Sequence, residues 1–215
     1  IWKGLVGSEM CIRDRVAWQV HDKNGICISN QSFIIHPKGF SIPYDSEKIH
    51  GISTQLAKKI GVEIDFVLEK FSEDLNKSNF ICGHNLNFDE KIIGSEYLRI
   101  NGQNPLQDFP KIDTCTEETA QICMLKGGRG RKFKLPTLQE LYNHLFNEKF
   151  ESAHNASADV EATALCLFQL LKNKKIHPAS LSENDDVYNN ISNLDLQKVK
   201  VQGIDHLNLF EAVSY

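Results

Sequence analysis

Residues Asp159 to Leu171 read DVEATALCLFQLL, a helical pattern that is apolar around most of its circumference. A helix of that kind is stable only when it is covered on nearly every side, so the rest of the chain has to supply the layers that bury it. With 215 residues, 41% of them hydrophobic and 24% charged, the chain has the material for one such core and a short appendage.

Those layers are legible upstream. Val16-Ala-Trp-Gln-Val-His is a strand pattern, Lys23-Asn24-Gly25 a tight turn, and Ile26 to His36 the returning strand, so the fold opens with an antiparallel pair. After a Pro-containing loop around Ile42-Pro43-Tyr44, Ser53 can cap a short helix that Gly61 ends. Ile64, Val67, Leu68, Phe71 and Leu75 then mark the apolar stripe of another helix. Phe80-Ile81-Cys82-Gly83 is a short apolar strand that runs into polar residues and a helix from Phe88 through Ile92, Ile93 and Leu98. Lys111 to Cys115 is a last strand, and Glu117 to Leu125 a helix stopped at Gly127-Gly128. Thr137-Leu-Gln-Glu140 is a capping box for a helix carrying Leu138, Leu141, Tyr142 and Leu145. Strands that begin antiparallel and then alternate with helices predict an α/β fold, a mixed sheet flanked by helices.

Composition excludes several classes. No run of about 18 uncharged apolar residues exists, and the first residues lack the basic, apolar, small-residue order of a secretory signal. The expected compartment is therefore the cytoplasm, with no membrane partner. The six cysteines, Cys11, Cys27, Cys82, Cys115, Cys123 and Cys166, include no Cys-x-x-Cys pair, and several lie inside apolar runs. That pattern indicates neither a zinc site nor a disulfide framework. The net charge is −4, so a polyanionic partner would have to be met by a local basic patch.

Two polar constellations interrupt the apolar pattern. His84-Asn85-Leu86-Asn87-Phe88-Asp89 lies where a short buried strand gives way to a helix, and a carboxylate at a strand end projects over the sheet edge, where a cation can reach it. An Asp that begins a helix also serves as a cap, and both roles fit Asp89. Ala153-His154-Asn155-Ala156-Ser157-Ala158-Asp159 puts Asp159 in the first turn of the buried helix, where it needs a cation or backbone donors. Capping by Ser157 or Asp159 is the alternative. His154 titrates near neutral pH, as a general base acting on water does.

Together the two segments resemble motifs II and III of the DEDDh exonucleases, the group that contains the proofreading subunit of DNA polymerase III, RNase T and oligoribonuclease. The second motif of that family, His-Asn-x-x-Phe-Asp, is matched by His84, Asn85, Phe88 and Asp89; the third, a His five residues before an Asp, by His154 and Asp159. His50-Gly51-Ile52 is similar to a segment after the family's third strand. Ile112-Asp113-Thr114-Cys115-Thr116 through Lys134-Leu135-Pro136-Thr137-Leu138 is most similar to exonuclease regions of bacterial polymerase III alpha chains. The resemblance runs from Val16 to Leu171 and implies a ribonuclease H-like sheet and 3′-to-5′ removal of nucleoside monophosphates. It implies two divalent cations, Mg2+ or Mn2+, with Asp89 and Asp159 as ligands and His154 as the base. The implied partners are a single-stranded 3′ end of DNA, with RNA also admissible, and other polymerase III components. His50 and Asn85 are the implied contacts to nucleic acid. Lys126-Gly-Gly-Arg-Gly-Arg-Lys-Phe-Lys134 carries five positive charges and no acid, so Arg129, Arg131, Lys132 and Lys134 are candidates to grip phosphates, or to line an ordinary solvated loop.

The family also has an Asp-x-Glu motif on its first, central strand, and no Asp-x-Glu precedes Val16. In its place stands IWKGLVGSEMCIRDR, of which Leu5 to Asp14 resembles a translated transposase adapter from sequencing-library preparation. The expected organisation is a non-native leader over 1–15, an exonuclease domain over 16–175 with its first central strand missing or replaced, and a linker or tail over 176–215 toward a polymerase body. The chain with this leader is expected to be inactive. A non-catalytic binding module of the same fold and a stand-alone RNase are the other readings.

Overall fold

The computed structural model describes residues 14–127, 130, 132–149, 156–176, 178, 190, 194–196 and 199. Strands β1 Arg15–His21 and β2 Cys27–Ile34 come first, followed by helices α1 Tyr44–His50, α2 Thr54–Ile60 and α3 Ile64–Leu75. Then come β3 Ile81–Gly83, α4 Leu86–Asn101, β4 Lys111–Asp113, α5 Glu117–Cys123, α6 Leu138–Phe146 and α7 Ala156–Lys172. Strands β1 and β2 pair antiparallel, Arg15 against Ile34 and Trp18 against Gln31, with an irregularity at Val20 and His21. Strands β3 and β4 pair parallel, Cys82 against Ile112. Among the described residues these are two separate pairs.

The hairpin between β1 and β2 is set by Asp22, whose carboxylate accepts the backbone N–H of Asn24 and of Ile26, each at 2.9 Å. Gly25, at φ +74°, completes the reversal. Trp18 is buried on the inner face of β1, where it packs edge-on to Phe71 and beside Phe33 and donates its indole N–H to Asp74 at 2.9 Å. That face and the stripe of α3, together with Ile93 and Tyr97 of α4, make one core cluster. Another is centred on α7, which packs against β1, β2, β3 and α6. Thirteen α7 residues are buried, as its all-round apolar pattern requires. Each of Leu165, Leu167, Leu170 and Leu171 contributes roughly 1.5–3 kcal/mol by leaving water.

Three features differ from the sequence reading. Residues 44–50, to which the sequence reading gave no element, are a helix: Pro43 presets φ before it, the Glu47 N–H closes the first turn on the Pro43 carbonyl, and Gly51 at φ +75° ends it. Helix α5 stops at Met124, which takes the left-handed conformation itself (φ 50°), ahead of Gly127-Gly128. Leu194 and Val199 are buried in the α7 cluster, and Lys172 donates to the Leu194 carbonyl at 2.8 Å, so packing continues beyond residue 175. The five described cysteines are free thiols. No described helix is long and apolar enough to cross a membrane.

Candidate active site

The turn from β3 into α4 is built by residues far away in sequence. Asn85 precedes α4 in the left-handed region (φ 65°, ψ 46°), which Asn tolerates better than most residues, and its side chain makes no capping bond. The cap comes from the neighbouring strand. Asp113, at the end of β4, accepts the N–H groups of Asn85 and Leu86 at 2.9 Å each and that of Cys115 at 2.8 Å. Burial raises the Asp113 carboxyl above its usual range, and the three N–H donors oppose that rise.

His84 is buried beside this cap. Its Nε2 lies 2.9 Å from the Pro136 carbonyl, which can only accept, so Nε2 carries a proton. Its Nδ1 lies 3.0 Å from the Thr114 hydroxyl, while the Thr114 N–H donates to the Gly83 carbonyl at 2.9 Å. The end of β3 is thereby tied both to the end of β4 and to the segment leading into α6.

Asp89, in the first turn of α4, is 2% exposed, and Asp159, in the first turn of α7, is 5% exposed. Ala156 and Val160 seat the start of α7 on Ala17 of β1. His50 closes α1, and its imidazole is buried. Nδ1 accepts the Ile52 N–H at 3.1 Å, and Nε2 faces Asp14 Oδ2 at 3.4 Å. Burial pushes the Asp14 carboxyl up to about 7, and burial, aided by the Arg15 charge, pushes His50 down. Both shifts favour the uncharged forms, so near neutral pH this contact is not a strong ion pair.

Lys132 and Lys134 are held in ion pairs. Lys132 pairs with Glu117, and Lys134 reaches both oxygens of Glu140, at 2.6 and 2.9 Å. His154, Arg129 and Arg131 lie outside the described residues. Among the described residues no group of three or more His, Cys, Asp or Glu side chains is arranged to hold a metal ion. Two divalent cations need more carboxylate than Asp89 and Asp159 supply, so a two-cation set does not fit the described residues. Sequence reasoning did not find Asp113 as a cap, because its partners Asn85 and Leu86 belong to another strand end; the one local signal was an Asp ending a short strand.

The family model for exonucleases of the RNase T type matches residues 17–167. The chain belongs to the exonuclease family. A curated relative, a PolC-type DNA polymerase III from Listeria welshimeri, is 25% identical over 167 residues, which is 77% of this chain and 11% of the relative. The exonuclease domain thus spans about a tenth of that polymerase. E. coli exonuclease I in complex with a dA16 oligonucleotide superimposes with a TM-score of 0.59 at 19% identity, covering 77% of this chain and 38% of that one. The zinc-bound form of the same enzyme with single-stranded DNA gives 0.59 at 22% identity, covering 75% and 36%. These likenesses establish the exonuclease fold, a mixed α/β, ribonuclease H-like architecture.

Proposed function

We propose that this chain is the 3′-to-5′ exonuclease domain of a PolC-type DNA polymerase III, a proofreading nuclease acting on single-stranded 3′ DNA ends, and that with residues 1–15 in place of the first motif it is inactive. The observation that carries the polymerase assignment is the alignment of most of this exonuclease domain with one tenth of a PolC-type polymerase. Binding of oligonucleotides by exonuclease I, a protein of the same fold, supports single-stranded DNA as the substrate class.

In the intact domain a bound pair of divalent cations, Mg2+ or Mn2+, would supply Lewis-acid chemistry and an activated water. Within this reading Asp89 and Asp159 are the ligands the present chain retains, His154 the proton acceptor, and His50 and Asn85 contacts to the substrate end. The basic loop with Arg129, Arg131, Lys132 and Lys134 meets the phosphates. Lys132 and Lys134 would first have to leave Glu117 and Glu140.

Inactivity of this form follows from the absence of an Asp-x-Glu before Val16, and the proposal includes that residues 1–15 are not native. Asp14 supports that. It is fully buried, and among the described residues neither of its oxygens accepts a hydrogen bond. A carboxyl buried in that position, facing the His50 imidazole at 3.4 Å, is costly. The test is to resequence the source DNA across residues 1–20 with a different adapter and assay both forms on 5′-labelled single-stranded DNA with Mg2+ or Mn2+. The expected result is an upstream strand carrying Asp-x-Glu, stepwise shortening by the repaired form, and none by the present one. If the segment is genuinely encoded and the chain binds DNA without shortening it, a non-catalytic binding module is the right reading. Degradation of RNA and not DNA by the repaired form would favour a stand-alone RNase.

A further inference from the structure

We propose that Asp113 is a positioning residue: by capping α4 from the neighbouring strand it fixes the turn that presents Asn85 to a nucleic-acid 3′ end. The inference rests on the exonuclease reading above and deepens it.

An Asn immediately before a helix normally spends its side chain on the first free N–H groups. Asn85 does not, because its left-handed backbone is not that of a capping residue, and it is exposed. Asp113 takes over the task. Its Oδ1 accepts from Asn85 and Cys115 and its Oδ2 from Leu86, so both oxygens are used by three backbone donors. An ionised carboxylate offers acceptors at both positions, whereas an amide would present an NH2 group to one of them.

Two consecutive amides held by one carboxylate set how far α4 is rotated about its axis. The Thr114 N–H, hydrogen-bonded to the Gly83 carbonyl at 2.9 Å, holds the end of β3 from the same strand end. The arrangement leaves Asn85 exposed while Asp89, one turn on, is buried. Asp113 need not touch the substrate to act.

The test uses the present chain with Asp113→Asn and Asp113→Ala, and, as a control on the other strand pair, Ser29→Ala, which loses a hydrogen bond to Asp74 of α3. Two readouts are taken: the amide resonances and hydrogen-exchange rates of Asn85 and Leu86, and the affinity for a 5′-fluorescein oligodeoxythymidylate at fixed salt. Asp113→Asn is expected to shift both resonances, speed their exchange and weaken oligonucleotide binding about fivefold, the factor carried by one hydrogen bond of ordinary strength. Ser29→Ala should leave binding unchanged. Shifted amides with wild-type affinity in Asp113→Asn would overturn the positioning role alone. A wild-type chain that binds no oligonucleotide would overturn this inference, whereas the exonuclease reading stands or falls on the repaired form's shortening of single-stranded DNA. If Asp113→Ala fails to fold, Asp113→Asn still decides.

Discussion

Replacing Asp14 by Asn is expected to change how this protein's stability depends on pH. The Asp14 carbonyl accepts the Ile35 N–H at 3.0 Å, which fixes the backbone, and the side chain is buried. Burial moves the carboxyl from 3.8 to about 7. The unfolded chain therefore takes up this proton near pH 3.8 and the folded chain near 7. Between those values the folded state holds the extra proton, so stability falls as pH rises through the window. The penalty is absent below the lower value and reaches at most about 4 kcal/mol once the group is ionised in both states. Asp14→Asn removes this titration while keeping size and polarity. Urea unfolding of both proteins from about pH 4.5 to pH 8.5 gives the difference directly. The variant should gain on the parent as pH rises, from about 1 kcal/mol to several. Parallel pH profiles would refute the reasoning, because they would mean that Asp14 is hydrated or paired in the folded chain.

Burial shifts His21 the other way, to about 4, so its contribution to stability is lost as pH falls from 6.5 toward 4; His21→Gln should flatten that acid-side loss in the same unfolding series. At Gly61 an added Cβ would lie 2.3 Å from the Ala57 carbonyl and 2.7 Å from the His36 nitrogen, both backbone atoms, so Gly61→Ala should cost about 1–3 kcal/mol by thermal unfolding. Thr137→Ala removes the side-chain half of the capping box on α6 and should cost about 1 kcal/mol, read from urea midpoints. If Lys132 and Lys134 exchange their acidic partners for phosphate, Glu117→Gln with Glu140→Gln should tighten oligonucleotide binding and steepen its salt dependence; unchanged titrations at two salt concentrations would refute a role for these lysines.

The sequence by itself determined most of the elements and the local caps of α2 and α6. Ser53, whose side chain accepts the Leu56 N–H, begins α2, and the capping box at Thr137 begins α6, because a cap acts within one turn of chain. The apolar surface of α7 announced its burial, since every residue carries its own hydrophobicity wherever it lies. The family was legible in the spacing of His84, Asn85, Phe88 and Asp89 with that of His154 and Asp159, and the family match over residues 17–167 agrees with it. Tertiary structure alone decided contacts between distant segments. Asp113 caps α4 across 28 residues, His84 reaches the Pro136 carbonyl across 52, and Asp14 is enclosed beside His50. A hydrogen bond between distant residues leaves no periodicity or local spacing in the chain, and the cost of burying a carboxyl depends on what closes over it, which appears only when the layers are assembled.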